Sequence, residues 1–237
     1  MSAVYSLTLR QLTGRWRLVI MSVLATMPVI FTALVVRSDS APFVSAFETV
    51  VLSTMLAGSI APLIVVSIAS VAFGNEVDDR TLANLTLSPL PRWQIVGPKL
   101  AAAVAVAAPF VVGSAFLTSF FAFNRDATAI AAVTTSAFVG VLMYASLFVW
   151  LGLMTKQAIA VGLVYIVLWE GFFSGYVSGI RFLSIRHYAA ALMHGLDPRR
   201  FVDDAHVGLG VAIAVAVVVF AVFVLLSIRK LRRMDVP

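Results

Sequence analysis

The chain has 237 residues, of which 61% are hydrophobic and 12% charged, and its mean hydropathy is +1.02. Soluble domains carry about 25% charged residues, so a water-soluble fold could not hide this much apolar surface and lipid must be part of the solvent. Cysteine is absent and the formal net charge is +6. The first fact excludes disulfides, thiolate metal sites and cysteine nucleophiles. The basic excess collects beside apolar runs, where it acts as a topology signal rather than a nucleic-acid surface.

In chain order, residues 3–17 read as an interfacial helix. Val4, Leu7 and Leu12 recur at roughly helical spacing, with Trp16 amid Arg10, Arg15 and Arg17, a mixture suited to the headgroup layer. The plainer alternative is a basic flank that orients the first span. Spanning a hydrocarbon core takes about 20 apolar residues in a helix, and six stretches qualify: 18–36, 50–73, 100–123, 130–154, 158–173 and 207–228. The first is longer than a signal-peptide core and no small-residue cleavage site follows it, so it reads as a retained span. The fifth is the shortest and carries Glu170 near its end. Residues 174–206 are broken by Arg181, Arg186, His187, Asp197 and Pro198, and cannot cross cleanly.

Orientation follows from the distribution of Lys and Arg. One side receives Arg10, Arg15, Arg17, Arg80, Arg92, Lys99, Lys156, Arg229, Lys230, Arg232 and Arg233; the other receives only Arg37, Arg125, Arg181, Arg186, Arg199 and Arg200. The richer side is expected to be cytoplasmic and to hold both termini, which an even number of spans requires. The expected fold is therefore an all-α polytopic membrane protein with six transmembrane helices in a single domain, 1–237. It contains no G-x-x-x-x-G-K-[ST] motif, so no phosphate-binding loop of its own.

The cytoplasmic loop after the second span is the most informative segment. Acidic Glu76, Asp78 and Asp79 precede Thr81, Leu82, Leu85 and Leu87, placing negative charge at the positive end of a short helix dipole. Leu82 and Leu85 share a face, and Pro89 and Pro91 stop the helix. Arg92, Trp93 and Lys99 mark the return to the membrane. A short amphipathic helix held between two spans suits docking into a groove on a partner, although an ordinary loop with an interfacial helix would carry a similar pattern.

The spacing Glu76, Thr81, Leu82, Leu85, Pro89, followed by Arg92 and Lys99, resembles the permeases of the type-2 ABC exporters. Arg80 stands where that family commonly has glycine. The layout of spans, the amphipathic N-terminus and the broken segment before the last span resemble the same family over essentially the whole chain. The resemblance implies the membrane-spanning permease subunit of an ATP-driven exporter, itself not an enzyme, forming a homodimer that binds two cytoplasmic ATPase subunits. ATP and Mg would sit on that partner, with no cofactor or metal in this chain. Residues 76–89 would be the coupling helix, with Glu76, Asp79, Thr81, Leu82, Leu85, Pro89 and Arg92 facing the ATPase. Residues 174–206 would be a re-entrant hairpin on the outer face, tolerated at membrane depth when buried in protein.

Glu170 is the ionisable residue expected at membrane depth, where such groups face a cavity or a partner. It reads either as a substrate-path or gate residue paired with Arg181 or Arg186, or as a carboxylate capping the outer hairpin. Gly171, Gly175 and Gly179 would permit close packing or a turn. His187, His194 and His206 read as structural or interfacial, and Phe116, Phe120, Phe121 and Phe123 as lipid-facing or core residues. Two other functions fit the same size and layout: a haem-exporter-like permease of cytochrome c maturation, and a membrane scaffold with no transport role.

Overall fold

The computed structural model describes residues 2–37, 48–78, 91–173, 183–201 and 207–233. Among these every regular element is helical: α1 (Ser2–Leu12), α2 (Arg15–Arg37), α3 (Glu48–Ile60), α4 (Ala61–Ala69), α5 (Val71–Asp78), α6 (Trp93–Ala122), α7 (Ala127–Met154), α8 (Ala158–Val164), α9 (Tyr165–Phe173), α10 (Ile185–Leu196) and α11 (Leu209–Arg233). Five stretches are long and apolar enough to cross a membrane: Arg15–Arg37, Val50–Gly74, Trp93–Ala122, Ala127–Met154 and Leu209–Arg233. The fifth apolar run folds as a shorter apolar helix, Ala158–Phe172. The chain is a multi-pass membrane protein.

Burial within the protomer is unequal and sets the roles of the spans. In an apolar 18-residue stretch of the second span, which is built from α3, α4 and α5, 78% of the residues are buried, against 22% and 17% in the corresponding stretches of α2 and α11. The second span therefore runs through the middle of the bundle, packed on α6, α7, α8 and α10, while the flanking spans present apolar faces such as Val19, Val23, Met27, Val217 and Leu225 outward. Several hydroxyls inside the spans are satisfied by their own helices: Thr32 donates to Pro28 O at 2.7 Å, Ser119 to Ala115 O at 2.7 Å and Ser146 to Met143 O at 2.8 Å. Lipid offers such groups no partner, so these back-bonds are the cheapest solution.

The second span is interrupted at Ser70, which falls between α4 and α5. Its hydroxyl donates to Val66 O, and Gly152 of α7 comes so close that a Cβ there would lie 2.3 Å from Ser70 O. Only glycine permits this approach. The segments α3 and α9 are π-helical, an uncommon winding with i to i+5 bonding, and they touch each other.

At the N-terminus α1 is a helix that ends before Thr13 and Gly14, with the first span starting at Arg15. It packs on α5 and α6. Thr8 and Leu12 form its buried stripe while Leu7 is 68% exposed. Val4, Thr8 and Leu12 recur every four residues along the packed side, so of Val4, Leu7 and Leu12 it is Leu7 that turns away from the bundle.

The far end of the bundle is drawn tight by a hairpin between α6 and α7. Asn124 and Arg125 adopt left-handed backbone, φ 51° and 67°, and Asp126 caps α7 by accepting from Thr128 N at 3.1 Å and Thr128 Oγ1 at 2.7 Å. The Thr128 hydroxyl and amide hold the Asp126 carboxyl below the usual carboxylate range. Arg200 reaches Asp126 at 3.3 Å and lies over the Phe123 ring at 5.1 Å, tying the turn after α10 to this hairpin.

Candidate functional site

Two polar clusters interrupt the apolar bundle, one at each end of the central span. The first closes the base of the loop that follows α5. Lys99, seven residues into α6, is 1% exposed. Its ammonium donates to Ala72 O at 2.6 Å, pairs with the Glu76 carboxylate and stands 4.4 Å from the centre of the Phe73 ring. All three partners lie on α5, at positions that one helical turn brings to the same side. A carbonyl, a carboxylate and an aromatic face are each attractive to a cation. Nearby, Arg92 starts α6, its carbonyl accepting from Ile95 N and Val96 N at 3.1 Å each. Asp79, Thr81, Leu82, Leu85 and Pro89 lie outside the described residues, so of the expected ATPase-facing set the structure places Glu76 and Arg92, which flank the segment.

The second cluster gathers around Glu170, which is fully buried. Its Oε1 accepts from Ile185 N at 3.0 Å and from Tyr165 Oη at 3.1 Å, and its Oε2 accepts from Ser184 Oγ. Ser184 in turn is the N-cap of α10, accepting from His187 N at 3.3 Å. The carboxylate thus sits at the N-terminus of α10, where unpaired amides and the helix dipole favour negative charge. Of the two expected roles for Glu170, the geometry displays the cap. Tyr144 of α7, wholly buried, is within electrostatic reach of the same carboxylate.

Arg186, the second residue of α10, extends the cluster to the central span. Its guanidinium donates to Ser53 Oγ at 3.2 Å and to Thr54 Oγ1 at 3.3 Å. It lies against Gly58, where a Cβ would meet its Nη1 at 3.0 Å. Arg181 lies outside the described residues, as do Gly175, Gly179 and His206. The N-terminus of α10 is thereby fastened to two apolar helices, to α9 through Glu170 and to α3 through Arg186. Beside it an apolar cavity of about 30 Å3 lies between α3, α7 and α10, lined by Leu56, Ala57, Gly140, Tyr144 and Met193 among others.

The remaining candidates separate along the same lines. Phe116 and Phe121 are 45% and 46% exposed, while Phe123 is buried edge-on against Phe201. His187 and His194 pack edge-on against Tyr188 and Phe201. Sequence reasoning missed Ser184, Tyr165 and Tyr144. Ser184 had a signal, a helix-capping residue just ahead of the apolar run of α10; the two tyrosines had none beyond being polar atoms inside apolar runs.

Comparison with known families bears on both clusters. The family described as ABC-2 family transporter protein matches residues 9–190. The chain belongs to that family. No curated protein matches it. The matched region of this ABC-2 chain contains Glu76, Lys99, Glu170 and Arg186 and ends within α10. It is a transport membrane protein in consequence, and the resemblance drawn from the loop after the second span is supported by a match that covers most of the chain.

Proposed function

We propose that this chain is the permease subunit of an ATP-driven exporter, lining the substrate pathway and taking its energy from a separate ATPase chain. ATP and Mg belong to that partner, two copies of which serve a homodimer of this permease in a cell (inner) membrane, with both termini cytoplasmic. The observation that carries the reading, beside family membership, is the Lys99–Glu76 contact. It draws together the two ends of the segment that contains Thr81, Leu82, Leu85 and Pro89. A loop whose ends are fastened to each other in buried surroundings delivers a push on its tip to both attached helices. Leu82 and Leu85 form the apolar face that the ATPase groove would hold, with Glu76, Asp79, Pro89 and Arg92 shaping the helix and its exit.

On the opposite side residues 174–206 form the outer re-entrant segment, of which α10 is one helix. Glu170, Arg181 and Arg186 are assigned to the outer end of the pathway, where movement of α10 would open or close the cleft between α3 and α7. The six-span count, with 158–173 as the fifth, belongs to the same reading. It is tested by replacing Leu82 and Leu85 together with Asp. The variant is expected to insert normally and to lose ATPase binding and stimulation when purified with its ATPase. Stimulation equal to wild type would remove the coupling assignment, and a chain that co-purifies with no ATPase would favour a scaffold.

A further inference from the structure

Lys99 is placed where an ordinary re-entry lysine would not be. Basic residues at a span boundary normally extend to the headgroups, yet Lys99 is 1% exposed and turned into protein. Its receptor is complete: the Ala72 carbonyl, the Glu76 carboxylate and the Phe73 ring, all from α5. Glu76 Oε2 is also buried, with no hydrogen bond, so the pair is held by one oxygen and is not a saturated network. Stability alone is a weak explanation for such a pair, because buried ion pairs are often replaceable by apolar groups of similar volume at little or no cost. What an ion pair supplies and an apolar contact does not is a single register between the two helices.

We infer that Glu76 and Lys99 are positioning residues for energy coupling: they lock the cytoplasmic ends of the second and third spans into one unit, so that displacement of the intervening loop moves both. The inference rests on the coupling reading above and adds to it the element that converts loop movement into span movement. The same central span is held at its other end by Arg186 against Ser53 and Thr54. Displacement entering at Lys99 therefore has a connected route to α10, interrupted only at Ser70.

The test uses the full chain with its ATPase in lipid nanodiscs. The chain has no cysteine, so Leu196→Cys, 44% exposed at the end of α10, carries one fluorophore. In the wild-type background ATP with Mg should change its emission. The double variant Glu76→Gln with Lys99→Met removes both charges and leaves no uncompensated ion. It should still bind the ATPase, while the ATP-dependent change falls by about ten-fold, a typical size for a coupling between distant sites. Glu76→Gln alone keeps an acceptor for Lys99 and should lose less of the signal, which preserves a readout if the double variant fails to insert. A double variant with the full wild-type signal overturns the inference, and so does one that releases the ATPase, since the pair would then act in docking. Failure of the coupling reading itself looks different: the wild-type chain would bind no ATPase and give no response.

Discussion

Replacing Glu170 separates a capping role from a role in the pathway. The carboxylate accepts three hydrogen bonds, from Ile185 N, Tyr165 Oη and Ser184 Oγ, at a fully buried position. Glu170→Ala removes all three acceptor contacts and leaves a cavity. The two hydroxyls are able to rotate toward other acceptors, but the Ile185 amide is fixed by the helix and stays unpaired. Bonds to a charged acceptor contribute about 1.5–3 kcal/mol each and are not additive, so a loss of roughly 4 kcal/mol is expected for the alanine variant, within the range for breaking a buried charged network. Glu170→Gln keeps the Oε1 acceptor for Ile185 and Tyr165 and turns the second position into a donor toward Ser184, whose oxygen accepts instead. Its expected cost is about 1.5 kcal/mol. At about 2–4 °C per kcal/mol for a chain of this size, thermal unfolding in detergent should fall by roughly 8–16 °C for alanine and 3–6 °C for glutamine. An alanine variant as stable as wild type would refute the cap as an energetic contact. Equal losses for both variants would show that the charge, not the set of bonds, is what α10 requires. A glutamine variant that stays folded and binds its ATPase, yet loses the ATP-driven response at α10, would assign Glu170 to the gate as well.

Three further outcomes follow from particular contacts. Gly152→Ala would place a Cβ 2.3 Å from Ser70 O, a clash with backbone rather than a movable side chain, and should cost about 1–3 kcal/mol in the same unfolding assay; an unchanged midpoint would show that the second and fourth spans are not in this contact. Asp126 has a folded carboxyl pKa held down chiefly by Thr128, so its contribution is present above the ordinary value of about 3.8 and is lost as pH falls through the lower folded value. Thr128→Val should therefore flatten the acid limb of the stability profile, and an unaltered acid limb would sink the assignment. For orientation, single cysteines at Arg125 and Lys156 should react with an impermeant maleimide from outside and only after permeabilisation, respectively; the reverse pattern would invert the topology.

How far the sequence reaches differs from one feature to the next, and the division is physical. The long spans are legible because hydropathy is summed over some 20 residues and tertiary contacts cannot erase it. The break at Ser70 is not legible, since Ile68-Ala69-Ser70-Val71-Ala72 contains neither glycine nor proline. What marks the site is Gly152, a residue 82 positions away on another helix that allows the backbones to touch. Glu170 is visible as a costly charge near the end of a short apolar run, and the cap it forms on α10 is one of the two roles the sequence suggests for it. Its partners are not visible, because Ser184 and Ile185 stand 14 and 15 residues further along the chain, beyond the reach of local periodicity. Lys99 shows the sharpest division. As a basic residue at a span boundary it was read as an interface marker, a fair inference for any lysine judged by its own neighbours in sequence. Its burial depends on α5 presenting Ala72, Phe73 and Glu76 together on one face, a pattern that exists only once two helices lie side by side. The same holds for Arg186, whose position over Gly58 requires a glycine in one span and an arginine 128 residues later to face each other. Local pattern located every charged residue that matters at the two clusters, and only packing revealed that each of them fastens one helix to the next.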